Sequence, residues 1–305
     1  AAEIQGTRET PSSGSGWNWD ELRQINFYLA NSHKCQDEAA RLLYDGVARF
    51  FRAYFYYEKI VRFGDVPWYD TVLEMNDEGL LRPRDSRKLV FEKMLEDLDF
   101  AIANCSATKS GQRISKWTAL AFKSRICLFE GTFRKYHGLG DWEDILREGA
   151  SAAEELINSG MYTIYKSTAD KSYHELFIAE DAITSEVILS RQYSAAIPFV
   201  HSANFYILSA SYGRPGMQKS VVNSYLMKDG SRFTDIPNYA TMQFYDETQN
   251  RDPRLSQTIR TPGYTRIGRS EVAVPDFATS VTGYQYIKYV LSPNFDAGQS
   301  TNDMP

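Results

Sequence analysis

Between residues 36 and 63, apolar side chains fall at 39, 42, 43, 47, 50, 54, 57 and 61. Steps of three and four put them on one face, so the pattern predicts a long helix with a continuous apolar stripe. Gly64 is placed to end it in the left-handed conformation, and Pro67 bars it from resuming. Tyr54 and Leu120 are expected in the core, where an Asp would be buried without a partner. Helical spacing returns over 86–104, with Phe91, Met94, Leu98 and Ile102. It returns again behind Ser115 as an N-cap, with Trp117, Leu120, Ala121, Ser124 and Leu128 facing inward. Gly131 and Gly138-Leu139-Gly140 close that helix, and Asp141 is the N-cap expected for the next. There Trp142, Ile145, Leu146, Ala153, Leu156 and Ile157 form the apolar face, and Gly160 ends it. A shorter helix carrying Leu22, Ile25 and Leu29 follows Trp17-Asn18-Trp19-Asp20, behind a polar loop over residues 1–16.

Past residue 165 the regular spacing stops. Strand-like pieces, such as 186–193 and 284–290, alternate with loops rich in Gly, Pro, Ser and Asn, and a short helix is expected over 221–226. The stretch 200–216 is long and irregular, and such loops usually carry function. Helix, turn, helix and Gly over 115–160 is similar to a tetratricopeptide-like pair. The expected fold is mainly α, a tetratricopeptide-like helical array with a loop-rich α+β region. Residues 1–165 form the helical part and 166–305 the irregular part with short strands, within one intertwined domain.

Composition narrows the function. The chain has 305 residues, 43% hydrophobic and 24% charged, enough for a substantial core. A formal charge of −5 and the lack of a basic run argue against nucleic acid as a partner. Aromatics reach 14%, with 20 Tyr, which suits either a Tyr-rich core or recognition of amphipathic ligands. Cys35, Cys105 and Cys127 make no CxxC pair, and Cys127 is expected as a small buried hydrophobe. No apolar run approaches the roughly 18 residues of a membrane helix.

Catalytic signatures are missing. Gly138-x-Gly140 has Glu143 where a third glycine would stand, and no P-loop or GxSxG elbow occurs. His174-Glu175 is followed by Ile178 where a zincin needs His, and His33 beside Cys35 falls short of four zinc ligands. Asp246, Glu247, Asn250 and Asp252 form a carboxylate-rich loop with two readings, a calcium site or a solvated hydrogen-bonded turn. No pair of carboxylates is marked out as a glycosidase would require. No catalytic residue, metal or cofactor is expected.

Five ordered segments carry a resemblance. The Arg- and aromatic-rich run from Ala48 into Gly64-Asp65-Val66-Pro67 is the most specific. Trp17 to Asn26, Arg113 to Phe133, Asn250-Arg251-Asp252-Pro253-Arg254-Leu255 and Gly283 to Tyr289 are the others. Together the chain resembles the RagB/SusD family of outer-membrane nutrient-uptake lipoproteins. The resemblance implies a cell-surface protein that binds oligosaccharides and hands them to a TonB-dependent, SusC-like transporter, without catalysis. It implies polysaccharide utilisation, a precursor signal peptide and membrane attachment through an N-terminal lipid anchor absent from this chain. The chain is expected to be a partial member, lacking that lipidated start and further C-terminal helices. A tetratricopeptide-type interaction scaffold and a glycoside hydrolase are the competing classes.

Sugar stacking requires exposed rings on loops. Trp17 and Trp19 follow the Gly/Ser-rich loop, Trp68 follows the helix stop, and Tyr193, Tyr206 and Tyr212 flank the irregular stretch. Asn204 and Arg214 lie beside them as hydrogen-bonding partners for hydroxyls. These eight residues are the candidate ligand contacts. The Arg251–Arg254 box is expected to be a structural, ion-paired turn.

Overall fold

The computed structural model describes residues 5–7, 9, 14–167, 171–196 and 198–305. The polar loop expected over residues 1–16 falls largely outside them. The chain divides into two compact units, Ala1–Met161 and Tyr162–Pro305.

In the first unit α1 spans Asp20–Asn31, α2 Glu38–Phe63, α3 Arg87–Asn104, α4 Lys116–Tyr136 and α5 Trp142–Asn158. Local chemistry sets their ends. Asp37 caps α2 by accepting from the Ala40 amide, and Gly64, at φ 71°, stops it while donating to the Ile60 carbonyl. Ser86 caps α3, and Ser115 with Thr118 forms a reciprocal capping box on α4. Asp141 stands at the start of α5, but its backbone is left-handed and it caps nothing; its carboxylate pairs with Lys88 at 2.7 Å.

Successive helices run antiparallel. Arg87, opening α3, donates to the Ile60 carbonyl near the end of α2, while Gly46 near the start of α2 meets Cys105 at the end of α3. Arg87 also pairs with Glu130 of α4, and Lys123 of α4 with Asp99 of α3. Gly131 faces Leu146, Gly149 faces Cys127, and Lys116 pairs with Glu155, so α5 folds back along α4. This is the array of helical hairpins expected from the sequence.

The buried faces are rotated from those expected. On α2 the buried set is Gly46, Phe50, Arg52, Ala53, Phe55, Tyr56, Lys59 and Ile60. Tyr54 and Val61 stay exposed at 42% and 47%. Leu128 and Ile157 are likewise exposed, whereas Leu120 is buried as expected. The cause is polar burial. Arg52 grips Asp97 of α3 through Nε–Oδ2 at 2.6 Å and Nη2–Oδ1 at 2.7 Å, so a charged residue occupies the inner face.

In the second unit short helices α6 (Ser172–Glu175), α7 (Ala203–Leu208), α8 (Lys219–Ser224), α9 (Phe244–Glu247) and α10 (Pro253–Ser256) are joined by long loops. The segments expected as strands at 186–193 and 284–290 pair only through isolated bridges, Arg191 with Met304 and Tyr286 with Ile259. Among the described residues no strand is formed. A small core of Met217, Val222, Leu255, Ile259 and Tyr284 organises this part. Buried Arg251 holds it together, donating to the carbonyls of Glu247, Val222 and Tyr225 and lying 3.8 Å from the Phe233 ring centroid.

Candidate functional site

A cleft of about 510 Å³ opens in the first unit between the start of α1 and the connection from α2 to α3. Its aromatic wall is Trp17, Trp19 and Tyr69. Trp17 is 40% exposed and is held edge-on by Trp19 at 5.1 Å and Phe63 at 4.9 Å. Trp19 packs behind it against Phe55, Tyr56 and Tyr69. The turn that presents Trp17 closes through its amide on the Gly14 carbonyl, 3.2 Å away. It is tied to α2 by Lys59, whose ammonium donates to the Gly16 carbonyl at 2.6 Å and lies 4.6 Å from the Phe55 ring centroid. Burial lowers the pKa of Lys59.

The α2–α3 connection forms the other wall. Val66 bridges to Asp85, whose carboxylate accepts from the Trp68 amide at 2.7 Å and pairs with Arg82. The Tyr69 amide donates to the Tyr56 hydroxyl, 2.6 Å away, which fixes the Tyr69 backbone at the cleft. Arg23, Arg82 and Arg84 reach the same cleft, and Asp20 is the carboxylate residue lining it. The Arg84 guanidinium lies 5.1 Å from the Trp17 ring centroid. Flat apolar faces flanked by multiple N–H donors suit a ligand with hydroxyl edges and C–H faces.

Of the expected contacts, Trp17 and Trp19 line this cleft. Trp68 does not. It is 6% exposed, stacked on Tyr56 at 4.3 Å, with its indole N–H donated to Asp70. The bridge between Val66 and Asp85 turns it inward, so its place is the core. Asn204 is not placed to touch a ligand either, because it is fully buried. Its amide donates to the Phe295 carbonyl and Asp296, and its oxygen accepts from the Leu291 amide at 2.9 Å. It clamps loops of the second unit together.

Tyr206 and Tyr212 are exposed at 52% and 49% and meet edge to face at 5.2 Å, with Phe205 against both. Arg214 follows them, exposed and with φ 43°. Tyr193 is half-buried and parallel to Phe199 at 5.1 Å, with Arg191 over the Phe199 ring. Sequence reasoning missed Arg23, Arg82 and Arg84. The Arg82-Pro83-Arg84 run was the visible signal, since Pro fixes an extended loop on which flanking side chains project.

The carboxylate-rich loop is a set of structural pairs. Glu247 is buried, pairs with Lys219 and accepts from the Tyr284 hydroxyl at 2.7 Å. Asp252 caps α10 by accepting from the Arg254 amide and also pairs with the Arg254 guanidinium, which lowers its pKa. Among the described residues no cluster of three or more His, Cys, Asp or Glu is arranged to hold a metal.

A family model described as starch-binding and associating with the outer membrane matches residues 12–124, and the model of the SusD family matches residues 186–305. A SusD-like protein, P38, from Formosa agariphila is 25% identical over 175 residues, covering 56% of this chain and 32% of that protein. A SusD-like carbohydrate-binding protein from Bacteroides fragilis superposes with a TM-score of 0.69 at 23% identity, over 93% of this chain and 56% of the other. A structure solved with xylogluco-oligosaccharide gives 0.61 at 17% identity, over 93% and 54%. The chain thus spans about a third of the curated relative and little more than half of the solved ones.

Proposed function

The chain belongs to the SusD/RagB family, and from that membership we propose that it captures oligosaccharides at the outer-membrane surface and passes them to a TonB-dependent, SusC-like transporter. It acts by binding and release, without turnover. One observation carries the reading: the cleft that gathers Trp17, Trp19 and Tyr69 with guanidinium donors in one concave site. A concave site covers more of a sugar than the exposed Tyr206–Tyr212 pair does alone.

Magnitudes fit capture followed by release. An aromatic ring buries about 150–250 Å² when fully covered. A sugar covering roughly a third of that, at ~25 cal/mol/Å², gains about 1–2 kcal/mol per ring. Two or three rings and a few hydrogen bonds, less the cost of association, give dissociation constants of roughly micromolar to millimolar. Such affinity concentrates a nutrient and still lets it leave.

Affinity electrophoresis against a broad panel of plant, algal and microbial glycans tests the proposal. Retardation by at least one glycan, with no reducing ends released on long incubation, is the expected result. Retardation by none, or sustained release of reducing ends abolished by changing one carboxylate, contradicts it.

A further inference from the structure

Three arginines line the cleft, and two of them lack an acidic partner among the described residues. Arg82 is paired with Asp85 and also donates to the Trp68 carbonyl. Among the described residues Arg23 and Arg84 form no ion pair and donate to backbone carbonyls, Leu73 for Arg23 and Phe63 and Asp65 for Arg84. Both are exposed. Arg84 leans on Trp17, so a planar donor fork lies beside the ring on which a sugar would stack. Arg62, at the same turn, comes within 3.5 Å of the place a side chain on Gly16 would take, and it too forms no ion pair among the described residues. Against these cations the cleft sets one lining carboxylate among the described residues, Asp20. A protein with a net charge of −5 has no general surplus of cations, so this grouping is local.

We propose that the cleft selects acidic oligosaccharides, with Arg23 and Arg84 as the specificity-determining residues that engage a carboxylate or sulfate while Trp17 carries the adjoining ring. The proposal rests on the glycan-binding reading above and assigns its ligand class. A guanidinium matches a carboxylate or sulfate with paired N–H donors, and such charge-assisted bonds are the strong ones. A neutral sugar meets these two cations with hydroxyls alone. An acidic glycan brings a counter-charge to them, an attraction that salt screens because both side chains are exposed.

The test uses matched pairs measured by isothermal titration: oligogalacturonate and oligoalginate against their carboxyl-reduced forms, and sulfated galactan oligosaccharides against desulfated ones. The expected result is that one acidic member binds about tenfold or more tighter than its neutral partner at low salt. Its advantage shrinks as the ionic strength rises toward about 1 M, where the screening length falls to ~3 Å. The double variant Arg23→Gln/Arg84→Gln, checked for native circular dichroism, weakens the acidic member far more than its neutral partner, so that the difference between the two disappears. The uronate arms and the sulfated arm report which anion is taken. If neutral forms bind as well as acidic ones, the acidic assignment fails while glycan capture stands. If no saccharide binds at all, both fail. An equal response to a poly-glutamate peptide would also overturn the saccharide class. Should the double variant misfold, the matched pairs and their salt dependence in the unaltered protein decide the question.

Discussion

Arg52 and Asp97 join α2 to α3 by a two-pronged ion pair at 2.6 and 2.7 Å, with both side chains more than nine-tenths buried. The arginine also reaches the Asn26 side chain of α1 at 3.4 Å, so one cation ties three helices. Removing only the acid leaves a buried guanidinium with no counter-charge. Asp97→Ala is therefore expected to destabilise the first unit by about 3–5 kcal/mol. Chemical denaturation followed by far-UV circular dichroism measures it.

That pair also marks how far the sequence could be read. Periodicity located α2, α3, α4 and α5, because apolar spacing of three and four persists whichever face is buried. It misplaced the faces. Tyr54, Val61, Leu128 and Ile157 are apolar yet exposed, as much apolar surface is in any folded protein, while Arg52 and Lys59 are polar yet buried. Ion pairs and carbonyl partners from distant segments decide those cases, and no local pattern announces them. The same holds in the cleft. Trp17 and Trp19 stood out after a Gly/Ser-rich loop, but the burial of Trp68 follows from the Val66–Asp85 bridge, and the burial of Asn204 from loops some 90 residues away. In the second unit bridges replace the expected strands, because its loops return to one another at single residues only.

Close contact between α4 and α5 depends on glycine. A side chain on Gly149 would place its Cβ 2.7 Å from the Cys127 Cβ and 3.3 Å from the Ser124 carbonyl oxygen. Backbone and a short buried side chain cannot yield easily. Gly149→Ala is expected to cost about 1–3 kcal/mol through overpacking, despite alanine's better helix propensity. A thermal melt showing no loss would overturn this packing.

Thiol reactivity separates the three cysteines. Cys105 and Cys127 are buried, and burial pushes their pKa values up to about 11 and about 12. Cys35 is exposed. A maleimide at neutral pH is expected to label one site in the native protein and three after denaturation, read by intact mass. Rapid native labelling of Cys127 would contradict the fold of the first unit.

Arg251 carries the second unit in the same manner as Arg52 does the first. Arg251→Ala would leave the carbonyls of Glu247, Val222 and Tyr225 without their donor, at roughly 1–3 kcal/mol for each that water cannot reach. The substitution is expected to lower stability while a folded fraction keeps its glycan affinity. Lost affinity at unchanged stability would make the box a binding element.

Buried His174 gives the second unit a pH dependence. Burial lowers its pKa from the ordinary 6.5, although its ring donates to the Ile287 carbonyl. The unfolded chain then binds a proton that the folded one refuses, so stability falls as pH drops below about 6.5 and levels off below the folded value. His174→Gln is expected to flatten that part of the stability profile between about pH 7 and 5. An unchanged slope would assign the acid sensitivity to other groups.

Isothermal titration of one glycan retained in the panel, against Trp17→Ala and against Tyr206→Ala/Tyr212→Ala, tests the central claim most directly. The account predicts that the folded Trp17→Ala protein loses about 1–2 kcal/mol of binding, roughly five- to thirtyfold, because its ring is the exposed face of the cleft. The double tyrosine variant should bind as the unaltered protein does. Undiminished binding by Trp17→Ala, with loss in the tyrosine variant, would move the site to the second unit and contradict the account.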